Sequence, residues 1–138
     1  MKNVIRTERG WAGHFICANQ CRFRRNTLLE CENIKIVVST VGLMESVMEM
    51  ENALKVEGVG FEENFTEVGF GRYYETMAFH ADSEDVRYCD ADVTRQVDFD
   101  SPWNIPTIDA DDKANEMHEK VVDELTQKLS NGEIHNSK

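Results

Sequence analysis

Cys21-Arg-Phe-Arg-Arg-Asn-Thr-Leu-Leu-Glu-Cys31, then Glu32-Asn33, then Ile34-Lys-Ile-Val-Val-Ser-Thr-Val41 is the stretch that decides the fold. The last eight residues are dense in β-branched side chains and almost continuously apolar, which marks a buried strand, and Gly42 is expected to stop it. The first eleven read as a second strand, with Asn26 or the Glu32-Asn33 pair as its point of interruption. Little more than Glu32-Asn33 separates the two, so they pair as a short antiparallel hairpin.

On the N-terminal side, residues 14–17 read as another strand after the turn-like Gly10-Trp11-Ala12-Gly13. On the C-terminal side, Leu43, Val47, Met50 and Leu54 recur near helical spacing, but that stretch is short and Glu-rich, with Gly58 and Gly60 after it. It reads as a helix or a mobile excursion. Residues 70–79 are aromatic and strand-like, with Tyr73, Met77 and Phe79 on one face and Tyr74, Thr76 and His80 on the other. Residues 87–99 alternate Val93, Arg95, Val97 and Phe99 against Asp92, Thr94, Gln96 and Asp98, the pattern of a half-solvated antiparallel strand.

From 111 to 131 the apolar residues Ala114, Met117, Val121, Val122, Leu125 and Leu129 repeat at three and four, an amphipathic helix roughly 30 Å long. Asp111 or Asp112 is expected to cap it, Lys128 sits in its last turn, and Gly132 is placed to end it. The expectation is an α+β domain: an antiparallel sheet of about five strands packed by a long C-terminal amphipathic helix.

The 138 residues suit one domain, 1–138, with enough bulk for a core. No run of about 18 apolar residues offers a membrane span. The start, Met1-Lys2-Asn3-Val4-Ile5-Arg6-Thr7-Glu8, has no apolar region of a signal peptide, so Cys17, Cys21, Cys31 and Cys89 read as free buried thiols in a cytoplasmic protein. The net charge of −11 argues against general nucleic-acid binding. Its distribution says more. Residues 1–40 carry seven Lys/Arg against three Asp/Glu, whereas residues 41–138 carry eight against twenty-three. A small basic site on an acidic body suits a compact anionic ligand better than a polymer.

His14, Cys17, Cys21 and Cys31 are metal-ligand types, but the second close pair of a zinc knuckle is missing. Packed thiols are the simpler reading, and neither a metal nor a cofactor is expected. His80 with Asp82, Glu84 and Asp85 resembles an acid–base group, and His118 lies on the core side of the helix. Neither adjoins a nucleophile in a recognisable setting, and Gly58-Val-Gly60 and Gly69-Phe-Gly71 suit turns as well as phosphate loops, so no enzyme is expected. Arg22, Arg24 and Arg25, followed by Asn26 and Thr27, make a fork of donors of the kind that binds phosphate. In a strand Arg22 and Arg24 share a face and Arg25 takes the other. Trp11, Tyr73, Tyr74, Phe79, Tyr88 and Trp103 offer flat surfaces for a base. The plainer reading is arginines paired with carboxylates and aromatics in a core.

Thr7-Glu-Arg-Gly-Trp-Ala-Gly-His14, Cys21-Arg-Phe-Arg-Arg-Asn-Thr-Leu-Leu-Glu30, Val37-Val-Ser-Thr-Val-Gly42, Gly71-Arg-Tyr-Tyr-Glu-Thr-Met-Ala-Phe79 and Asp112-Lys-Ala-Asn-Glu-Met-His118 together resemble the anti-Thoeris type one family of phage and prophage proteins. The resemblance does not extend to residues 43–66. It implies a sponge in the host bacterial cytoplasm that binds a cyclic ADP-ribose-type signal made by a TIR-domain enzyme and holds it without cleaving it. It also implies a homo-oligomer with pockets shared between protomers. The partner is then a small phosphorylated nucleotide-like molecule, neither nucleic acid nor membrane. On this reading Arg24 or Arg25 contacts phosphate with Arg72 or Arg95 assisting, Phe79 or Tyr74 stacks the base, and Asn26 or Asp98 bonds ribose hydroxyls. The rival expectation is an acidic inhibitor that imitates nucleic acid and binds a host defence protein, which the negative charge of residues 41–138 favours.

Overall fold

The computed structural model describes residues 2–9, 21–45, 65–66, 72–81 and 91–135. Among these residues the strands are β1 (Ile5–Arg9), β2 (Cys21–Cys31), β3 (Ile34–Glu45), β4 (Phe65–Thr66), β5 (Tyr74–Ala81), β6 (Ala91–Gln96) and β7 (Asn104–Ile105), and one helix follows, α1 (Asp111–Ser130). The main sheet runs β1-β2-β3-β5-β6, with β4 paired to β3 and β7 to β5. Every pairing is antiparallel. This is the expected α+β architecture.

The β2–β3 hairpin is the longest ladder, from Cys21↔Met44 to Cys31↔Ile34, and its turn is Glu32-Asn33. Asn26 does not interrupt it; it pairs with both Arg9 and Ser39. Gly42 does not stop β3, which continues to Glu45. The reason lies across the sheet. The ring of Tyr74 occupies the space where a side chain at 42 would stand, so glycine is needed there as a strand residue. Leu43 then adopts φ 53°, which breaks the alternation and turns its side chain onto the helix side beside Phe23 and Tyr74. Residues 43–45 therefore belong to a strand; the rest of the stretch read as a helix or excursion, and residues 14–17, lie outside the described residues.

Strand β5 begins at Tyr74, later than expected, with Tyr74, Thr76 and Ala78 toward the helix. Strand β6 ends at Gln96 rather than at 99, and its register against β5 shifts between Phe79 and Ala81. Beyond it the chain is pinned to the helix. The carboxylate of Glu124 accepts the Asp100 N–H (2.7 Å), the Ser101 N–H (2.9 Å) and the Ser101 hydroxyl (2.6 Å).

Helix α1 lays Val121, Val122, Leu125 and Leu129 on Leu29, Ile36, Val38 and Ala78 of the sheet. Each of these fully buried Val, Leu and Ile side chains contributes about 1.5–3 kcal/mol of transfer free energy. The other sheet face is buried as well, around Val37, Phe79, Ala81 and Ala91, which accounts for the nearly unbroken apolar run of β3. The helix starts differently from expectation: Ala110 is the N-cap, and no side chain caps it. Asp111 instead accepts the Tyr74 hydroxyl (2.6 Å), which in turn accepts the Ala110 N–H (3.0 Å). The C-terminus follows expectation, with Lys128 in the last turn and Gly132 at φ 74° donating to the Leu129 carbonyl (3.1 Å).

Candidate functional site

Two polar groupings stand out from the apolar packing. The first lies between sheet and helix. His118, fully buried, puts Nε2 2.7 Å from the Thr27 hydroxyl and Nδ1 2.7 Å from the Thr40 hydroxyl. Thr27 gives its proton to the Glu8 carboxylate (2.7 Å), so it accepts from Nε2–H, and Nδ1 is left bare. Thr40 therefore donates to Nδ1 and accepts from the Thr76 hydroxyl (2.6 Å). The hydrogen bonds run one way, from Thr76 through Thr40, His118 and Thr27 to Glu8. Burial, and then the Arg25 charge, push the imidazole down to about 4, so it is held neutral.

At the rim of this chain, Arg25 sends Nε and Nη2 to the two oxygens of Glu8 (2.9 Å each) and Nη2 to Glu119 (2.8 Å). Arg6 holds Glu119 through both guanidinium ends, at 2.8 and 2.6 Å. The bonds from Arg6 and then Arg25 bring Glu119 down to about 2. This grouping clasps β1 and β2 to α1. With these side chains bonded to one another and the imidazole fully buried, the grouping holds the helix in register.

The second grouping borders an open cavity of about 370 Å³ at the outer edge of β5, between the end of β6 and the start of β7. That volume falls within the range of small-molecule sites. Its walls include Arg72, Glu75, Met77, Asp98, Phe99 and Trp103. The Arg72 guanidinium carbon lies 4.9 Å from the centre of the Trp103 ring, a cation–π stack. Trp103 is fixed through its backbone, its carbonyl accepting the Thr76 N–H (2.8 Å), while 41% of its surface stays exposed. A second cavity of about 320 Å³ shares Gln96 and Asp98 with the first and reaches His80 and Lys128. A guanidinium, a carboxylate and flat rings around one space can bind a planar heterocycle carrying a sugar.

Of the residues picked from the sequence, this cavity brings together Arg72 and Asp98. Arg25 is committed to Glu8 and Glu119. Arg24 is exposed on the opposite sheet face, so the two arginines do not converge. Asn26 is fully buried on the Arg24 face, where Oδ1 accepts from Arg9 Nε (2.8 Å) and Nδ2 has no hydrogen-bond partner among the described residues. Arg95 lies near Asp92, at 3.8 Å, and away from the cavity.

Tyr74 and Phe79 need correction as base-stacking residues. Tyr74 is fully buried with its edge against Phe23, and Phe79 is 3% exposed inside the second-face core; neither ring has a free side. The cavity wall is lined instead by the rings of Trp103 and Phe99. A signal for Trp103 was present in the sequence: an indole between Pro102 and Pro106, outside any apolar period. Cys21 and Cys31 stand at opposite ends of β2, roughly 30 Å apart along the strand, and cannot share one ion. His14, Cys17 and residues 82–85 lie outside the described residues.

Among the described residues, no helix is long and apolar enough to cross a membrane. No family model matches the sequence, and neither a curated protein nor a solved structure matches it.

Proposed function

We propose that this chain is a phage or prophage anti-defence protein that binds a cyclic ADP-ribose-type signal made by a TIR-domain enzyme and holds it without cleaving it. The observation that carries this reading is the stack of Arg72 on Trp103, 4.9 Å apart, at the wall of a cavity that also holds Asp98. An adenine ring lies flat against Trp103 and Phe99, the Asp98 carboxylate accepts hydrogen bonds from a ribose diol, and Arg72, stacked on the Trp103 ring, completes the wall. The segments that resemble the anti-Thoeris type one family agree with it, and the working compartment is the host cytoplasm, where the signal is made. Sequestration asks only for tight binding and slow release.

The test is capture and recovery. The protein is mixed with the product of an activated TIR-domain enzyme, passed through a filter, denatured, and the released small molecule assayed. Intact signal in the denatured fraction supports the reading. Chemically altered signal makes the protein an enzyme. Signal left in the filtrate overturns capture and favours an acidic inhibitor that meets a defence protein directly.

A further inference from the structure

The cavity contains a second relationship, and the inference from it rests on reading this space as the nucleotide site. Arg72 Nε and Nη2 both lie 2.8 Å from Oε1 of Glu75. Glu75 is 5% exposed, so its charge is poorly screened by solvent, and it stands directly against Arg72, the one arginine of the wall among the described residues. Asp98 adds another carboxylate to the wall. Among the described residues, the charged side chains of this wall are thus one guanidinium and two carboxylates. A phosphate pushed into the cavity meets both carboxylates as well as Arg72. An uncharged base and ribose meet the Trp103 and Phe99 rings and a carboxylate suited to hydroxyl or amino donors, without that repulsion.

We propose that Glu75 is the specificity-determining residue of the site: by neutralising Arg72 it makes the cavity a nucleoside subsite, which takes base and ribose and leaves the phosphates outside. The pairing also positions the arginine. With two donors on one oxygen, the guanidinium is held over the Trp103 ring, so wall and ion pair form one flat, nearly neutral surface.

The experiment uses the full chain in a Trp11→Phe background, so that Trp103 is its one indole. Adenosine, AMP and inorganic pyrophosphate are titrated by tryptophan fluorescence at low and high salt. Adenosine and AMP are expected to bind within about threefold of each other with little salt dependence, and pyrophosphate not to displace adenosine. Glu75→Gln removes the anion nearest Arg72; pyrophosphate and AMP should then gain about tenfold, with adenosine unchanged. Pyrophosphate displacing adenosine from the unsubstituted site, or Glu75→Gln failing to strengthen pyrophosphate binding, overturns the role of Glu75 while leaving a nucleotide site in place. Adenosine and AMP both leaving Trp103 unperturbed overturns the role and the nucleotide reading together. Should Glu75→Gln not fold, the exposed Asp98→Asn carries the same test: pyrophosphate binding should rise while adenosine, having lost its ribose acceptor, weakens. No gain for pyrophosphate in that variant counts against the proposal.

Discussion

The ring of Tyr74 lies where a side chain on Gly42 would be: a methyl group there would overlap Cδ2 and stand 2.8 Å from Cγ and Cε2. The same tyrosine reaches across to the helix start through its hydroxyl, to Asp111 and to the Ala110 N–H. Gly42→Ala should therefore cost about 1–3 kcal/mol by displacing the ring and loosening the first turn of α1. Urea denaturation measures it, and a variant as stable as the parent would show that Tyr74 does not hold this position.

Acid should weaken the fold in two stages. The folded His118 titrates near 4, below its ordinary 6.5, so the native state binds fewer protons than the unfolded chain between those values. Stability is then complete above pH 6.5, falls by about 3 kcal/mol as pH drops toward 4, and loses nothing more from this group below that. Glu119, ionised down to about 2 rather than 4.5, adds a smaller loss in that lower window. A urea midpoint independent of pH from 7 to 4.5 would refute the neutral, buried imidazole. Nitrogen-15 spectra should in addition find the proton on Nε2, since Glu8 fixes the direction of the hydrogen-bond chain.

Arg25 is tied into the scaffold. Its bonds to Glu8 and Glu119 join β1, β2 and α1. Arg25→Ala should lower stability by about 1 kcal/mol, less at high salt, and leave signal capture intact. Lost capture with an unchanged melting curve would return the phosphate role to Arg25.

The β2–β3 turn carries strain that one substitution relieves. Glu32 sits at φ 56°, where a side chain crowds the backbone, and its exposed partner Lys2 is 3.5 Å away. Glu32→Gly should raise stability by about 1 kcal/mol despite losing that ion pair. Thermal melts decide it; a lower melting temperature would mean that the pair outweighs the strain.

Trp103 is the sharpest probe of the cavity because its backbone link to the sheet survives substitution. Its link to β5 is through the backbone carbonyl, which alanine keeps. Trp103→Ala should lower stability by about 1–2 kcal/mol through the lost Arg72 stack and buried ring area, leaving the chain folded, while weakening ligand binding by about 1–3 kcal/mol, the worth of one stacked base. Undiminished binding, measured calorimetrically, would exclude this wall as the stacking surface.

The sequence alone determined the β2–β3 hairpin, the alternation of β5, and the length and buried stripe of α1. Those features are periodic over a few residues: β-branched runs and a three-and-four repeat are properties of neighbours along the chain. What only the tertiary structure decided was which side chains meet. Alternation separates Arg24 from Arg25, but it does not say that Glu8 and Glu119 wait on one side. It makes Tyr74 and Phe79 aromatic strand residues without revealing that both faces of the sheet are covered. Gly42 reads as a stop until the ring lying over it is known. The union of Arg72, Asp98 and Trp103 depends on β6 ending early at a register shift and on β7 returning to the same edge of β5, a matter of contacts between residues distant in sequence.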